Sequence, residues 1–288
     1  MKFVFFGTGN IAVGVLEELS AAHLVPALIT TAPDKPAGRG KKLTPPPVKA
    51  WANMHSISAI QPEKLDSQYL KNLRALKADV FVVADYGKIL PKELLKIPKH
   101  GTLNMHPSLL PRLRGPSPIR TAILNDDKNI GVTIMLMDEK MDHGPIVAQR
   151  PIPPPQDWPP HGRELDELLA HGGGKLLAEI LPTWLRGDIV PQPQNHDLAT
   201  YSEKIKKEDG LVNLAYEPRK NLLKVRAYDG SPGAYAFFEK NGKKLRVRIT
   251  DAHLDENGSF TIDRVIPEGK KEMSYEEFLR GTKTQSRS

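Results

Sequence analysis

Asn104, His106 and Asp142 are the residues of this chain best suited, by type and spacing, to carry chemistry. The first two lie in Asn104-Met105-His106-Pro107-Ser108, the third in Met137-Asp138-Glu139-Lys140-Met141-Asp142-His143-Gly144. A neutral imidazole can take a proton from an attacking amine near neutral pH. A carboxylate can fix its tautomer and stabilise the imidazolium. An amide N–H can donate to an oxyanion at a tetrahedral carbon, an interaction worth about 3–4 kcal/mol in the transition state. None of the three is a good covalent nucleophile, so the set suits direct transfer of an acyl group to an amine. Taken singly, each has a plainer reading: a strand-end histidine can be a cap or surface residue, and Asp142 can simply make a turn. His106, Asp142 and His143 lack the spacing of a zinc site, and no metal is expected.

The elements that must position these groups follow from periodicity. Gly101 to His106 reads as a strand with Leu103 and Met105 on one face and Asn104 and His106 on the other. Gly131 to Met137 is apolar nearly throughout, as a strand buried on both faces of a parallel sheet would be. Ligands of open α/β sheets sit beyond the carboxyl ends of the strands, where all three polar residues are expected to emerge. Further strands are predicted at 2–6, 24–30, 79–84 and 146–152, and helices at 10–20, 66–76, 117–125 and 162–186. This alternation predicts an α/β protein with a doubly wound, mostly parallel sheet. Gly7-Thr8-Gly9-Asn10-Ile11-Ala12 matches the dinucleotide fingerprint as a string. The next strand ends Ile29-Thr30-Thr31, without the acid that holds ribose hydroxyls. An NADP reader could use Arg39 instead; the plainer reading is that small residues let the first helix pack close to its strand.

At 288 residues, 39% hydrophobic and 26% charged, the chain has an ordinary soluble composition and length enough for two domains. No apolar run approaches the roughly 18 residues of a membrane span, and no secretory segment precedes the first strand. The absence of cysteine excludes disulfides and thiolate chemistry, which fits a reducing compartment. A net charge of +7 favours an anionic partner. Its placement is more telling, with Lys35, Arg39, Lys41, Lys42 and Lys49 in one stretch and Lys240, Lys243, Lys244, Arg246 and Arg248 along one predicted hairpin. Either run can also be ordinary solvated surface. Composition changes near residue 190, giving a first domain over 1–190, a polar linker over 191–205, a domain of short strands and turns over 206–282, and a disordered tail over 283–288. Within the second domain, strands are predicted at 235–239, 245–249 and 261–265, and a final helical turn at 274–279. Pro153 to Pro160 is unusually rich in proline.

At these motifs the chain resembles the formyltransferases that use 10-formyltetrahydrofolate, and most closely the branch acting on initiator methionyl-tRNA. The resemblance spans nearly the whole length. It places Asn104, His106 and Asp142 on the catalytic asparagine, histidine and aspartate. Ser108-Leu109-Leu110-Pro111, with Arg114-Gly115, matches the signature loop, and Tyr86-Gly87-Lys88-Ile89-Leu90-Pro91 resembles the segment that cups the folate pterin. Pro33 to Leu43 resembles the insertion that engages the tRNA acceptor stem. Tyr201 to Gly210 and Pro267 to Ser274 resemble pieces of the linker and C-terminal domain. The resemblance implies a Rossmann-like catalytic domain, a small C-terminal OB-like β-barrel, folate as co-substrate and a monomeric cytoplasmic enzyme. It implies tRNA contacts from Lys35, Arg39, Lys41, Lys42, Lys204, Lys206, Lys207, Lys243, Lys244 and Arg246. Relatives with the same core formylate amino sugars or glycinamide ribonucleotide, or hydrolyse the folate. A small amino-sugar acceptor therefore remains an alternative, as does a non-catalytic RNA-binding role.

This chain departs from the family in three places. Relatives tend to have Gly-Leu-Asp-Thr-Gly where Lys140-Met141-Asp142-His143-Gly144 stands, and alanine where Asp85 precedes Tyr86. Between His253 and Thr261 only a tight turn is expected, where the family usually carries about two more strands.

Overall fold

A computed structural model describes residues 1–37, 40, 42–240 and 242–283. Arg39, Lys41 and the expected tail from 284 lie outside the described residues. The chain opens with β1 (Phe3–Phe6), α1 (Asn10–Ala21) and β2 (Leu28–Thr30). A short hairpin follows, β3 (Lys35–Ala37) and β4 (Lys42–Thr44), then α2 (Pro47–Met54) and β5 (Ala59–Ile60). Next come α3 (Ser67–Ala75), β6 (Val80–Val83), α4 (Lys92–Leu95), β7 (Thr102–His106) and α5 (Pro118–Leu124). β8 (Gly131–Leu136), β9 (Ile146–Pro151) and the long α6 (Gly162–Arg186) lead to α7 (Pro218–Ala227). The chain closes with β10 (Tyr235–Lys240), β11 (Lys243–Leu254), β12 (Phe260–Pro267), β13 (Met273–Ser274) and α8 (Tyr275–Lys283).

The main sheet has seven strands in the order β5-β2-β1-β6-β7-β8-β9. Its first five are parallel. Val4, Phe6, Phe81 and Val83 are buried on one side of this block with Tyr69, Leu73, Leu90 and Leu94. Burying each large apolar side chain contributes about 1.5–3 kcal/mol. The sheet is mostly parallel as expected, but the reversal after β7 corrects the reading of Gly131 to Met137 as a parallel strand. β8 runs antiparallel to β7, pairing His106 with Thr133 and Leu103 with Leu136, and β9 runs antiparallel to β8. An apolar strand reports burial on both faces, which an inner antiparallel strand has as fully as a parallel one. The carboxyl end of β8 therefore lies beside the start of β7, away from His106.

Compactness divides the described chain into two units. The first comprises Met1–Gly115, Asn129–Pro153 and Asp166–Tyr201; the second comprises Pro116–Lys128, Pro154–Leu165 and the chain from Ser202. A single cut near 190 would assign α5 and the proline-rich stretch to the first unit. Within the second unit, Asp126 accepts from Arg219 at 3.1 and 2.8 Å and from the Trp158 indole at 2.8 Å. Trp158, 8% exposed, is what the proline-rich stretch delivers. The Arg219 guanidinium, ahead of the Trp158 bond, holds the Asp126 carboxyl below its usual range.

The second unit carries a four-stranded antiparallel sheet in the order β10-β11-β12-β13. A tight turn joins β11 to β12, with Asp255 Oδ1 accepting from the Asn257 and Ser259 amides at 2.9 and 2.8 Å. α7 is a helix that the expected short strands, turns and final helical turn beyond residue 205 did not include. Its four cations mask a helix that buries Leu222, Leu223, Val225 and Ala227.

Candidate active site

His106 ends β7 almost fully buried, at 4% exposure. Its Nε2 lies 3.0 Å from the Leu113 carbonyl. A carbonyl only accepts, so Nε2 carries a hydrogen, and in the neutral form of the ring the lone pair lies at Nδ1. Nδ1 faces Asp142 Oδ1 at 3.6 Å, while Asp142 Oδ2 accepts from the Gly115 amide at 2.7 Å. A proton can enter this imidazole only at Nδ1, where the charge it creates meets a carboxylate. The Leu113 carbonyl orients this ring, and Asp142 is placed to stabilise a proton taken up at Nδ1. Asn104 lies two residues earlier on the same strand face, half-buried and level with Met135 of β8.

Asp142 reaches this position by a route the sequence did not suggest. It does not emerge from a strand end beside His106. The segment Met137–Pro145 folds back over the sheet, and Asp142 adopts a left-handed φ of 49°. The fold-back is tight enough that a Cβ on Gly144 would stand 1.9 Å from the Leu136 carbonyl oxygen. Gln194 clamps it from another segment, donating to the Asp142 and Gly144 carbonyls at 3.0 and 2.7 Å.

The loop from Pro107 to Gly115 is held by polar groups that motif reading missed. Thr133 Oγ1 donates to the Ser108 carbonyl at 2.7 Å and accepts from the Leu110 amide at 3.1 Å. Gln149 Nε2 donates to both the Leu110 carbonyl and Thr133 Oγ1, at 2.9 and 2.8 Å. Thr200 receives the Leu113 amide on its hydroxyl at 2.8 Å. Arg114, 2% exposed, donates to Gln194 Oε1 at 3.1 and 2.6 Å. One signal was available: Thr133 is the polar residue inside an otherwise apolar strand.

The glycine turn is filled by the protein's own atoms. A Cβ on Gly7 would meet Ala12 and Phe5, and one on Gly9 would stand 2.2 Å from Asp85 Oδ2. Asp85 sits in a recess still open to solvent, and burial, then the Asp166 carboxylate, push its pKa up to about 6. A carboxyl group against the turn disfavours a pyrophosphate there and supports the packing role of these glycines. A cavity of about 610 Å³ opens at the start of β7 and reaches Asp138, but includes none of Asn104, His106 and Asp142.

Comparison with known proteins decides the lineage. Residues 1–156 match the formyl transferase family model. A methionyl-tRNA formyltransferase of Chloroflexus aurantiacus is 45% identical over 250 residues, covering 86% of this chain and 79% of that protein. The chain belongs to the formyl transferase family. A methionyl-tRNA formyltransferase of Dictyoglomus thermophilum is 37% identical over 309 residues, covering 98% of this chain and 97% of its own. HypX from Aquifex aeolicus, solved in complex with tetrahydrofolic acid, superposes with a TM-score of 0.68 at 18% identity, covering 97% of this chain and 47% of HypX.

In this formyl transferase the remaining candidates divide by burial. Of the folate candidates, Tyr86 turns its ring onto Phe6 at 5.6 Å, and burial raises its pKa to about 12. Lys88 donates to the Pro62 and Glu63 carbonyls at 2.6 and 2.8 Å. Ile89 is 89% exposed, and nothing lies within 4 Å of where a Gly87 Cβ would stand. Leu90, Ser108 and Leu110 are buried, with Leu109 and Pro111 half-buried. The segment thus anchors Tyr86 and Leu90 inward and Lys88 to neighbouring carbonyls, and leaves Ile89 exposed. Of the tRNA candidates, Lys35 and Lys42 are exposed on the β3–β4 hairpin, and Lys204, Lys206 and Lys207 on the second unit. Lys244 lies over the Phe237 ring at 4.4 Å and Arg246 over Tyr235 at 3.9 Å, with Lys243 exposed beside them. Strand pairing puts Tyr235, Phe237, Lys244, Arg246 and Arg248 on one face of the sheet, opposite buried Ala236, Val247 and Ile249.

Proposed function

We propose that this enzyme transfers a formyl group from 10-formyltetrahydrofolate to the α-amino group of methionine on initiator methionyl-tRNA, and so supports translation initiation. The observation that carries the chemistry is the buried imidazole whose one proton-accepting nitrogen faces Asp142 at 3.6 Å. The acceptor rests on 45% identity over 86% of the chain to a methionyl-tRNA formyltransferase.

The folate co-substrate supplies an activated formyl group. The segment Tyr86 to Leu90 and the loop Ser108 to Pro111 would hold it, with nothing within 4 Å of where a Gly87 Cβ would stand. His106 takes the proton of the attacking amine at Nδ1, and Asp142 stabilises the imidazolium. Asn104 donates to the oxyanion of the tetrahedral carbon. The same His106 proton then passes to the departing folate nitrogen. No metal is needed. A cytoplasmic monomer is what the family resemblance implies; no helix among the described residues is long and apolar enough to cross a membrane.

Catalysis is assigned to residues 1–190, with 191–205 as a linker and 206–282 as a tRNA-binding module. An OB-like design for that module is supported by its antiparallel sheet, extended by the Leu211–Tyr235 bridge. Its aromatic and cationic face suits unpaired bases and phosphates. Lys35, Arg39, Lys41 and Lys42 would meet the acceptor stem. The test is a formyl-transfer assay offering charged initiator methionyl-tRNA and free amino sugars in parallel. Formyl-methionyl-tRNA as product upholds the proposal. Formylated sugar alone moves the acceptor to a small amine, and no turnover overturns the enzymatic reading.

A further inference from the structure

His143 replaces a small residue of the family pattern, and the structure gives it a partner. Its ring stacks on His196 with centroids 4.0 Å apart and planes 8° from parallel. On one side of the pair, His143 Nδ1 lies 2.6 Å from Asp138 Oδ2. On the other, Arg114 Nη2 lies 2.8 Å from His196 Nδ1. A guanidinium only donates, so His196 Nδ1 is a bare acceptor and its ring is neutral, with its hydrogen on Nε2. A carboxylate only accepts, so His143 Nδ1 carries a hydrogen. Arg114 also grips Gln194, whose amide holds the Asp142 and Gly144 carbonyls. A continuous path therefore runs from the two rings to the backbone of the catalytic carboxylate.

We propose that the stacked His143–His196 pair positions Asp142, pinning its fold-back segment to residues 194–196, and that protonating His196 releases it. The inference deepens the catalytic reading above and rests on it. Protonation at Nδ1 would replace the bond from Arg114 with two facing cations, beside a second ring. The charged groups around His196 are Arg114, Lys140, Asp138 and His143. Desolvation, then the His143 ring, Arg114 and Lys140, hold its pKa below the ordinary histidine value, against the opposing pull of Asp138. The sign follows: an imidazole that resists protonation when folded contributes stability above the ordinary histidine pKa and loses it as pH falls through the lowered value.

The experiment uses the full chain, with His196→Ala, His196→Gln and His143→Thr. Glutamine keeps an acceptor for Arg114 and does not titrate. Nitrogen NMR of the imidazoles should show His196 with bare Nδ1, still neutral where free histidine is half protonated. Hydrogen exchange at 138–144, corrected for intrinsic rates, should rise at least about tenfold on acidification in the wild type and stay flat in His196→Gln. In His196→Ala and His143→Thr, kcat should fall by about 10- to 100-fold with KM values for both substrates held, and His196→Gln should recover it. A wild-type kcat together with unchanged loop protection in His196→Ala overturns the inference, as does a hydrogen on His196 Nδ1. A wild type that transfers no formyl group sinks the functional reading instead, and the NMR and exchange arms still judge the positioning role.

Discussion

His106 is held at Nε2 by the Leu113 carbonyl and turns Nδ1 toward Asp142. Lys244 and Arg246 instead lie over aromatic rings on an exposed strand face. The first region works through a few groups whose geometry is fixed by buried backbone. On the proposed reading the second works through several cations of which no single one is decisive. Loss of one group in the interior should therefore be nearly complete, whereas loss on the surface should be partial and salt-dependent.

The largest effect is expected from His106→Ala, which should lower kcat by about 10²–10⁴-fold in single-turnover formyl transfer while folate binding is retained. Turnover near wild type would remove the contrast altogether. Asn104→Ala should cost about 10²–10³-fold in kcat, measured the same way. On the surface, Lys244→Ala with Arg246→Ala should leave the chemical step intact and reduce the salt-dependence slope of tRNA binding by about one per cation. An unchanged slope would show that this face does not meet the nucleic acid. Arg39→Ala should weaken tRNA use far more than folate use, and equal losses would reject its role. Smallest of all is Asp85→Asn. A raised folded pKa means that the native state holds its proton longer than the unfolded chain, so stability falls as pH rises from the ordinary carboxylate range through about 6. The variant should gain melting temperature over wild type above that window and match it near pH 4, as calorimetry at two pH values would show.

What could be read in advance differs between the regions for the same reason. The strands β1, β6 and β7 and the helix α6 carry strong periodic or apolar signals, and the expected bounds for α6, 162–186, coincide with those observed. The direction of β8 was not legible, because burial alone does not encode it. Asn104 and His106 stood out by sharing the polar face of one short strand, and Asp142 by its place in the Met137 to Gly144 motif. Gln194 and Thr200 did not, since they act through backbone carbonyls and amides from a polar stretch that reads as a connector. α7 was hidden by its cations, and the ring pair by its dispersal, since nothing in the sequence marks His143 and His196 as neighbours.

The reversal at β8 also has a bearing on how the molecule assembles. Strands β7, β8 and β9 form an antiparallel meander of consecutive strands, with the Asp142 segment as the connection between the last two. The parallel half instead pairs Phe3 with Val80. Closing the meander joins near neighbours along the chain, which costs less loop entropy than the β1–β6 pairing. The pairing that brings His106 and the Asp142 segment together is thus among the cheaper steps of sheet formation, while the glycine turn and Asp85 must wait for the distant one.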